Sequence, residues 1–210
     1  VVVSTYWGNI SEETAVPADY LIGVGSHRQR VSKSVNVYDE LLPPGVHDLI
    51  AYNEPEGFSV SGDVATVHVL DNGQISPRPG YLFCGKEQVI VLRDDTVSCN
   101  VAMRQLVRRL EFRLRVSEGD HSRVTSASAT LKGVSRSVSL TIGNRSPEAA
   151  SVSSAMEKSG DTYSFWFRIA GIAPGATPVL TVDLLFSNGD TQRVVTDLSA
   201  QLRDFNSGVN

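Results

Sequence analysis

Cysteine, lysine and aromatic residues are scarce in this chain, and no run of about 18 apolar residues occurs in it. The last absence excludes a membrane-spanning helix. Two cysteines in 210 residues, Cys84 and Cys99, are too few for a disulfide scaffold or a cysteine zinc site. A hairpin of residues 81–92 and 96–107 around Asp94-Asp95 would set Cys84 opposite about residue 105 and Cys99 opposite about residue 90. The thiols then lie too far apart to bridge, and each is expected to be free and buried; another register would change that.

Basic charge is also in short supply. Lys and Arg number 19 against 23 Asp and Glu, a net charge of -4. A nucleic-acid protein needs a basic face, so that class is set aside. The lysines are Lys33, Lys86, Lys132 and Lys158, whereas Arg104, Arg108, Arg109, Arg113 and Arg115 crowd one segment. That crowding reads as the solvent face of a strand or short helix in preference to an anion-binding stripe.

Catalytic signatures are missing as well. His27, His47, His68 and His121 stand far apart, none at metal-ligand spacing, and His68 reads as an outward residue in an alternating run. There is no nucleophile elbow and no phosphate loop, and Gly23-Val24-Gly25 lacks a following helix. Asp94-Asp95 and Asp71-Asn72-Gly73 have too few ligands for Ca²⁺ and suit turns. A carboxylate pair assembled by folding would leave no spacing signature, but aromatics make up only 7% of the chain. A hydrolase is therefore the minority reading. The chain is read as non-enzymatic, with no cofactor and no metal.

What the sequence has is strand chemistry. Apolar residues make up 41%, enough for a core and against global disorder. Val, Ser and Thr are frequent, and 17 Gly and 9 Pro punctuate segments of strand length. Leu110, Phe112, Leu114 and Val116 alternate with charged residues. Val138, Leu140 and Ile142 alternate with Ser and Thr. Tyr163, Phe165, Phe167 and Ile169 form a third stripe; Leu180, Val182, Leu184 and Phe186 form a fourth. Asn188-Gly189 after that stripe predicts a type I′ hairpin turn. Val46 to Tyr52 and Val64 to Leu70 read as further strands.

Two stretches carry helical spacing instead: Met103, Leu106, Val107 and Leu110, and then Leu198, Leu202 and Phe205 after Thr196-Asp197. Each predicts one or two helical turns at a strand junction. Composition shifts near residue 105, which divides the chain into two β domains, 1–105 and 106–210. A single large sandwich is the other option.

Flat aromatics stack on sugars, so Trp7 and Trp166 form a candidate glycan platform. Trp166 is the better of the two, because its strand sends Phe165 and Phe167 the other way. The competing reading packs both rings against a loop or the other domain.

Four segments carry a family resemblance. Leu41-Leu42-Pro43-Pro44-Gly45-Val46-His47-Asp48-Leu49-Ile50-Ala51-Tyr52-Asn53 resembles a stretch common in Bacteroidetes fimbrillin-related surface lipoproteins, with His47 where an aromatic is more usual. Tyr81-Leu82-Phe83-Cys84-Gly85, Met103 to Phe112, and Ala129-Thr130-Leu131-Lys132-Gly133-Val134 are similar to successive landmarks of that group. Order and spacing hold over roughly residues 40–200.

The resemblance implies an all-β protein of two tandem transthyretin-like, Greek-key type β-sandwich domains. It implies a fimbrial accessory, anchor or cell-adhesion role, with other fimbrial subunits or host and bacterial surface ligands as partners. It also implies a place at the outer membrane, lipid-anchored through a cysteine upstream of this chain after signal-peptide removal. Stalk subunits of the group polymerise when an N-terminal strand leaves a groove that a neighbour's strand fills. Val1, Val2, Val3, Ser4, Thr5 and Tyr6 are the candidate exchange segment, with the tail beyond Leu202 a second. Residues 1–6 read more readily as a strand that simply completes the first sheet. Asp95-Thr96-Val97 resembles the Asp-Thr-x motif that carries O-glycans in this lineage. An outer-surface glycan-binding protein is the alternative function.

Overall fold

A computed structural model describes residues 1–9, 14–93 and 95–207. Nine strands precede residue 106: β1 (Val2–Asn9), β2 (Tyr20–Val24), β3 (His27–Val31), β4 (Val35–Val37), β5 (Gly45–Tyr52), β6 (Phe58–Ser61), β7 (Val64–Val67), β8 (Phe83–Val91) and β9 (Ser98–Gln105). Eight follow: β10 (Arg108–Arg115), β11 (Val124–Ser135), β12 (Ser137–Ser139), β13 (Ala149–Ala155), β14 (Glu157–Ser159), β15 (Thr162–Ile169), β16 (Val179–Phe186) and β17 (Thr191–Asp197). Among the described residues the one helical element is a single 3₁₀ turn, His121–Arg123. The all-β expectation holds.

The largest sheet runs β3-β2-β5-β8-β9-β1-β4. It is antiparallel except for β1, which lies parallel to β9. Side chains stitch its two edges together and curl it towards a barrel. The Gln29 amide on β3 donates to the Val37 carbonyl (3.1 Å) and accepts from the Asp39 N–H (3.1 Å). His27 bonds Asp39 at 2.8 Å, and the Val24 N–H donates to the Tyr38 hydroxyl. Inside lie Val3, Ile22, Leu49, Phe83, Val101 and Met103. The other face of β2 and β5, with Leu21, Ile50 and Tyr52, packs into a second core. Burial on both faces explains the unbroken apolar run Leu49-Ile50-Ala51-Tyr52.

That second core is shared with a sandwich of two facing sheets, β10-β15-β14 and β13-β11-β16-β17. A small sheet, β12-β7-β6, joins strands from both sides of residue 105. Asn206 ties the tail down. Its side chain accepts from the Ile172 N–H (2.9 Å) and donates to the Ile172 carbonyl (2.8 Å).

Several local expectations need correction. The helical spacing Met103, Leu106, Val107, Leu110 is not a helix. Met103 is the inward residue of β9, Leu106 and Val107 are both buried where the chain crosses between sheets, and Leu110 begins the inward stripe of β10. Two consecutive buried residues at a crossover break the period-2 parity and imitate period 3.6. Residues 199–207 form consecutive turns that close on Leu202 N–H to Leu198 O and Phe205 N–H to Leu202 O, with no helix assigned.

The Asn188-Gly189 turn is not type I′. The Gly189 N–H bonds the Phe186 carbonyl and the Phe186 N–H bonds that of Asp190, with Gly189 at φ +88°. This is the longer hairpin loop in which glycine supplies a left-handed bulge residue. Strand β7 stops at Val67, and Ile142 is exposed beyond the end of β12. In the expected cysteine hairpin the pairs are Phe83↔Gln105 and Cys84↔Arg104, one residue from the predicted register; Asp94 of its proposed turn lies outside the described residues.

Candidate functional site

The two sheets of the sandwich differ in width, and the difference makes a groove. Strand β15 lies over β11 and β13, so β10 is the last strand on its side, and among the described residues no strand of that sheet lies over the inner face of β17. Every residue of β17 is exposed as a result. Val182 pairs with Val194, and since Val182 faces the core, so does Val194, which is nevertheless 44% exposed.

The hollow between β10 and β17 has a volume of about 240 Å³. Its walls are Leu114 and Val116 from one sheet and Leu180, Val182, Leu184 and Val194 from the other, with Met156 and Tyr163 at its base. Arg115 is the one ionised side chain of the lining. It is held at the rim by Asp161 at 2.6 Å. That bond, with the Thr162 hydroxyl, holds the Asp161 carboxyl below its ordinary range.

Both strands that flank the hollow are sheet edges. Among the described residues no strand pairs with the outer side of β10 or of β17. Half of their N–H and C=O groups therefore lack a strand partner, which is what an added strand requires. The charged outer face of β10, with Arg109, Glu111, Arg113 and Arg115, guards that edge against indiscriminate pairing.

The predicted exchange segment lies elsewhere. Residues 2–6 sit in β1, hydrogen-bonded to β9 along one side and to β4 along the other. Val3 is fully buried, the Thr5 hydroxyl bonds that of Tyr20 at 2.9 Å, and Tyr6 points out. Trp7 meets Tyr20 and Phe83 edge to face at 5.4 and 5.6 Å, and its indole N–H donates to Thr5. Trp166 is on the outer face of β15, opposite in direction to Phe165 and Phe167 as expected, and guanidinium groups surround it. The structure thus keeps Trp7 and Trp166 apart, one half-buried against the curled sheet's core and one on the sandwich surface.

The remaining motif residues have local explanations. His47 bonds the Pro43 carbonyl at 2.8 Å, His68 is exposed, and Thr96 is exposed in the loop before β9. The described residues contain no group of three His, Cys, Asp or Glu side chains that could hold a metal ion. Arg104, Arg108 and Arg145 bond backbone carbonyls of Thr141, Phe205 and Ala170, which ties the sheets and the tail together. Burial, then the neighbouring Arg108 and Arg104, pull the Arg145 pKa down.

Both cysteines are free and buried, and burial raises both thiol pKa values. A raised pKa leaves little thiolate at neutral pH. Native protein is therefore expected to react slowly with an aromatic disulfide reagent and to release two equivalents of thiol product only in denaturant. Fast native labelling would contradict the buried placement.

Sequence reasoning missed the groove for a simple reason: it is lined by ordinary strand residues. The available signal was Val194-Val195, two adjacent valines on a terminal strand with polar neighbours.

Residues 9–207 match the family described as fimbrillin-A associated anchor proteins Mfa1 and Mfa2. No curated protein sequence matches the chain. Among solved structures, a candidate adhesin from Bacteroides ovatus superposes with a TM-score of 0.77 at 11% identity, over 97% of this chain and 84% of that one. A second candidate adhesin, from Bacteroides thetaiotaomicron, gives 0.66 at 12%, over 99% and 82%. The fimbrial anchor protein Mfa2 from Porphyromonas gingivalis gives 0.65 at 13%, over 99% and 85%. At such identities the superpositions establish the shared fold.

Proposed function

This chain belongs to the family of fimbrillin-A associated anchor proteins, and we propose on that premise that it is a non-enzymatic cell-surface subunit that binds a fimbrial partner through β-strand addition. The observation that carries the reading is the apolar hollow between two unpaired sheet edges. A partner strand that pairs with β10 gives the narrower sheet a fourth strand and lays its inward side chains over Val194 and Thr196. Main-chain hydrogen bonds then supply affinity, and alternating side chains in the hollow supply register.

A strand of about six residues suffices for β10, whose length is typical of sandwich strands. The groove lining offers no convergent acid, base or nucleophile, which suits an assembly role. In this reading β1 is a resident strand, because its removal would expose Val3 and break two ladders. Surface location, attachment through a lipid upstream of the chain, and division at residue 105 into two domains of transthyretin-like type belong to the same proposal.

The test is hydrogen exchange on the whole chain with and without a fimbrial subunit of the same cell. Binding is expected to slow exchange at β10 and β17 amides. Val194→Arg puts a charge into the hollow at an already half-open position and is expected to weaken binding at least about thirtyfold, the effect of losing a central interface anchor. Faster exchange at β1 on binding, or capture of added Val1–Tyr6 peptide by protein that lacks residues 1–6, would place strand exchange in the curled sheet instead.

A further inference from the structure

The outer face of β10-β15-β14 carries a feature that strand addition does not use. Arg109 pairs directly across from Arg168, and Glu111 across from Trp166. The Arg78 guanidinium stands 4.1 Å from the centroid of the Trp166 ring, Arg109 at 4.8 Å and Arg168 at 5.6 Å. Arg168 also lies 4.9 Å from the Tyr81 ring. Arg78 comes from the loop before β8, which is tied to β15 where the Arg168 N–H donates to the Pro77 carbonyl at 3.0 Å. Arg168 Nη2 donates to the Arg78 carbonyl at 3.2 Å. One indole therefore gathers three cations from three segments of the chain.

Like charges this close repel, and the acid available to them is limited. Glu111 bonds Arg109 and Arg113, each at 2.9 Å. Among the described residues neither Arg78 nor Arg168 has a carboxylate within ion-pair distance, and Arg168 Nε is buried with no hydrogen-bond partner. A guanidinium stacked on a ring keeps its N–H groups in its own plane, pointing outward at the ring edge, where a planar carboxylate accepts two of them. Beside Trp166 is a hollow of about 140 Å³ lined by Arg78 and Arg109 together with Glu111, Glu157 and Ser164.

We infer that this face is a binding site for an acidic polysaccharide, one whose uronic-acid carboxylate meets Arg78 in the hollow beside Trp166, while Arg168 holds the Arg78 backbone in place. The mixture of groups selects that class. The Arg78 guanidinium takes the carboxylate, while Glu111, Glu157 and Ser164 accept from hydroxyls on the same sugar. Trp166 acts here as the ring that orders the arginines, since Arg78 lies over the ring where a sugar would otherwise stack.

Titration calorimetry of the full chain with hexagalacturonate tests this. Binding is expected, with loss on methyl esterification of the sugar carboxylates. Arg78→Ala, in an exposed loop, is expected to weaken it at least about tenfold, the loss of one charge-assisted bidentate contact. Arg193→Ala, on the far sheet, is expected to leave it unchanged. Four results would each overturn the site: no binding of hexagalacturonate, equal binding by Arg78→Ala, equal loss in Arg193→Ala, or equal Arg78-dependent binding of poly-glutamate. The last would mark an acidic-peptide site instead.

Discussion

Phe167→Ala is expected to lower the stability of this protein by about 3–5 kcal/mol, the usual cost of emptying a fully enclosed aromatic site. Phe167 has no exposed surface. Its ring meets Phe165 at 5.5 Å and Phe112 at 6.3 Å, both edge to face, while Phe112 and Phe165 stack at 4.8 Å. The three rings bridge β10 and β15 and face the four-stranded sheet, so no single neighbour can close the void. For a chain of this length the melting temperature should fall by about 10 °C, and the urea midpoint should move with no change of slope. A loss below about 1 kcal/mol would mean that the two sheets close over the gap, contrary to a rigidly packed sandwich. Trp166 and Arg168 flank Phe167 on the same strand, so the variant should also lose order at the cationic face.

Asn53→Ala is expected to have the second largest effect, about 2–4 kcal/mol, through hydrogen bonds instead of volume. The buried Asn53 amide donates to the Tyr81 carbonyl at 2.9 Å and accepts from the Phe83 N–H at 2.8 Å. It substitutes for a peptide group where β5 ends and the chain enters β8. Alanine would leave the Phe83 N–H buried and the Tyr81 carbonyl half-buried, each without this partner. Asn53→Asp, which keeps the acceptor but not the donor, should fall between alanine and the native residue. Amide exchange at Phe83 should accelerate in Asn53→Ala and much less in Asn53→Asp. Native-like stability of the alanine variant would show that water satisfies the pair. Tyr81 packs on Arg168, so the alanine variant should weaken hexagalacturonate binding as well.

The residues of the family resemblance acquire physical reasons from this fold. Asn53 ends its stretch because a side-chain amide must close the β5–β8 ladder. Gly85 lies where β9 comes closest: a Cβ there would meet Val101 Cγ1 at 2.5 Å and the Ala102 carbonyl at 2.8 Å. Gly133, at φ +82°, forms the bulge at which β11 shifts register against β13, and a Cβ would strike the Thr177 carbonyl at 2.8 Å. These are structural requirements of the scaffold and not of a binding site. That is why they identify the family without locating a function.

The sequence by itself determined the elements. Period-2 alternation marked β10, β15 and β16 and assigned their inward residues correctly, because a strand with one face buried writes its orientation into every second position. Tyr163, Phe165, Phe167 and Ile169 are all buried, as that pattern requires. Local spacing misled where the chain changes sheets, at Leu106-Val107, since parity there is set by which core each residue enters. The tertiary structure alone decided the rest. Whether β17 would be covered depended on the opposite sheet having three strands and not four, a fact that no segment of β17 encodes. Likewise the cluster at Trp166 joins Arg78 to Arg109 and Arg168, residues whose proximity is created by the Pro77–Arg168 backbone bond. Strand chemistry is local and legible one residue at a time; edges, grooves and charge clusters are differences between distant segments and exist only once the sheets are packed.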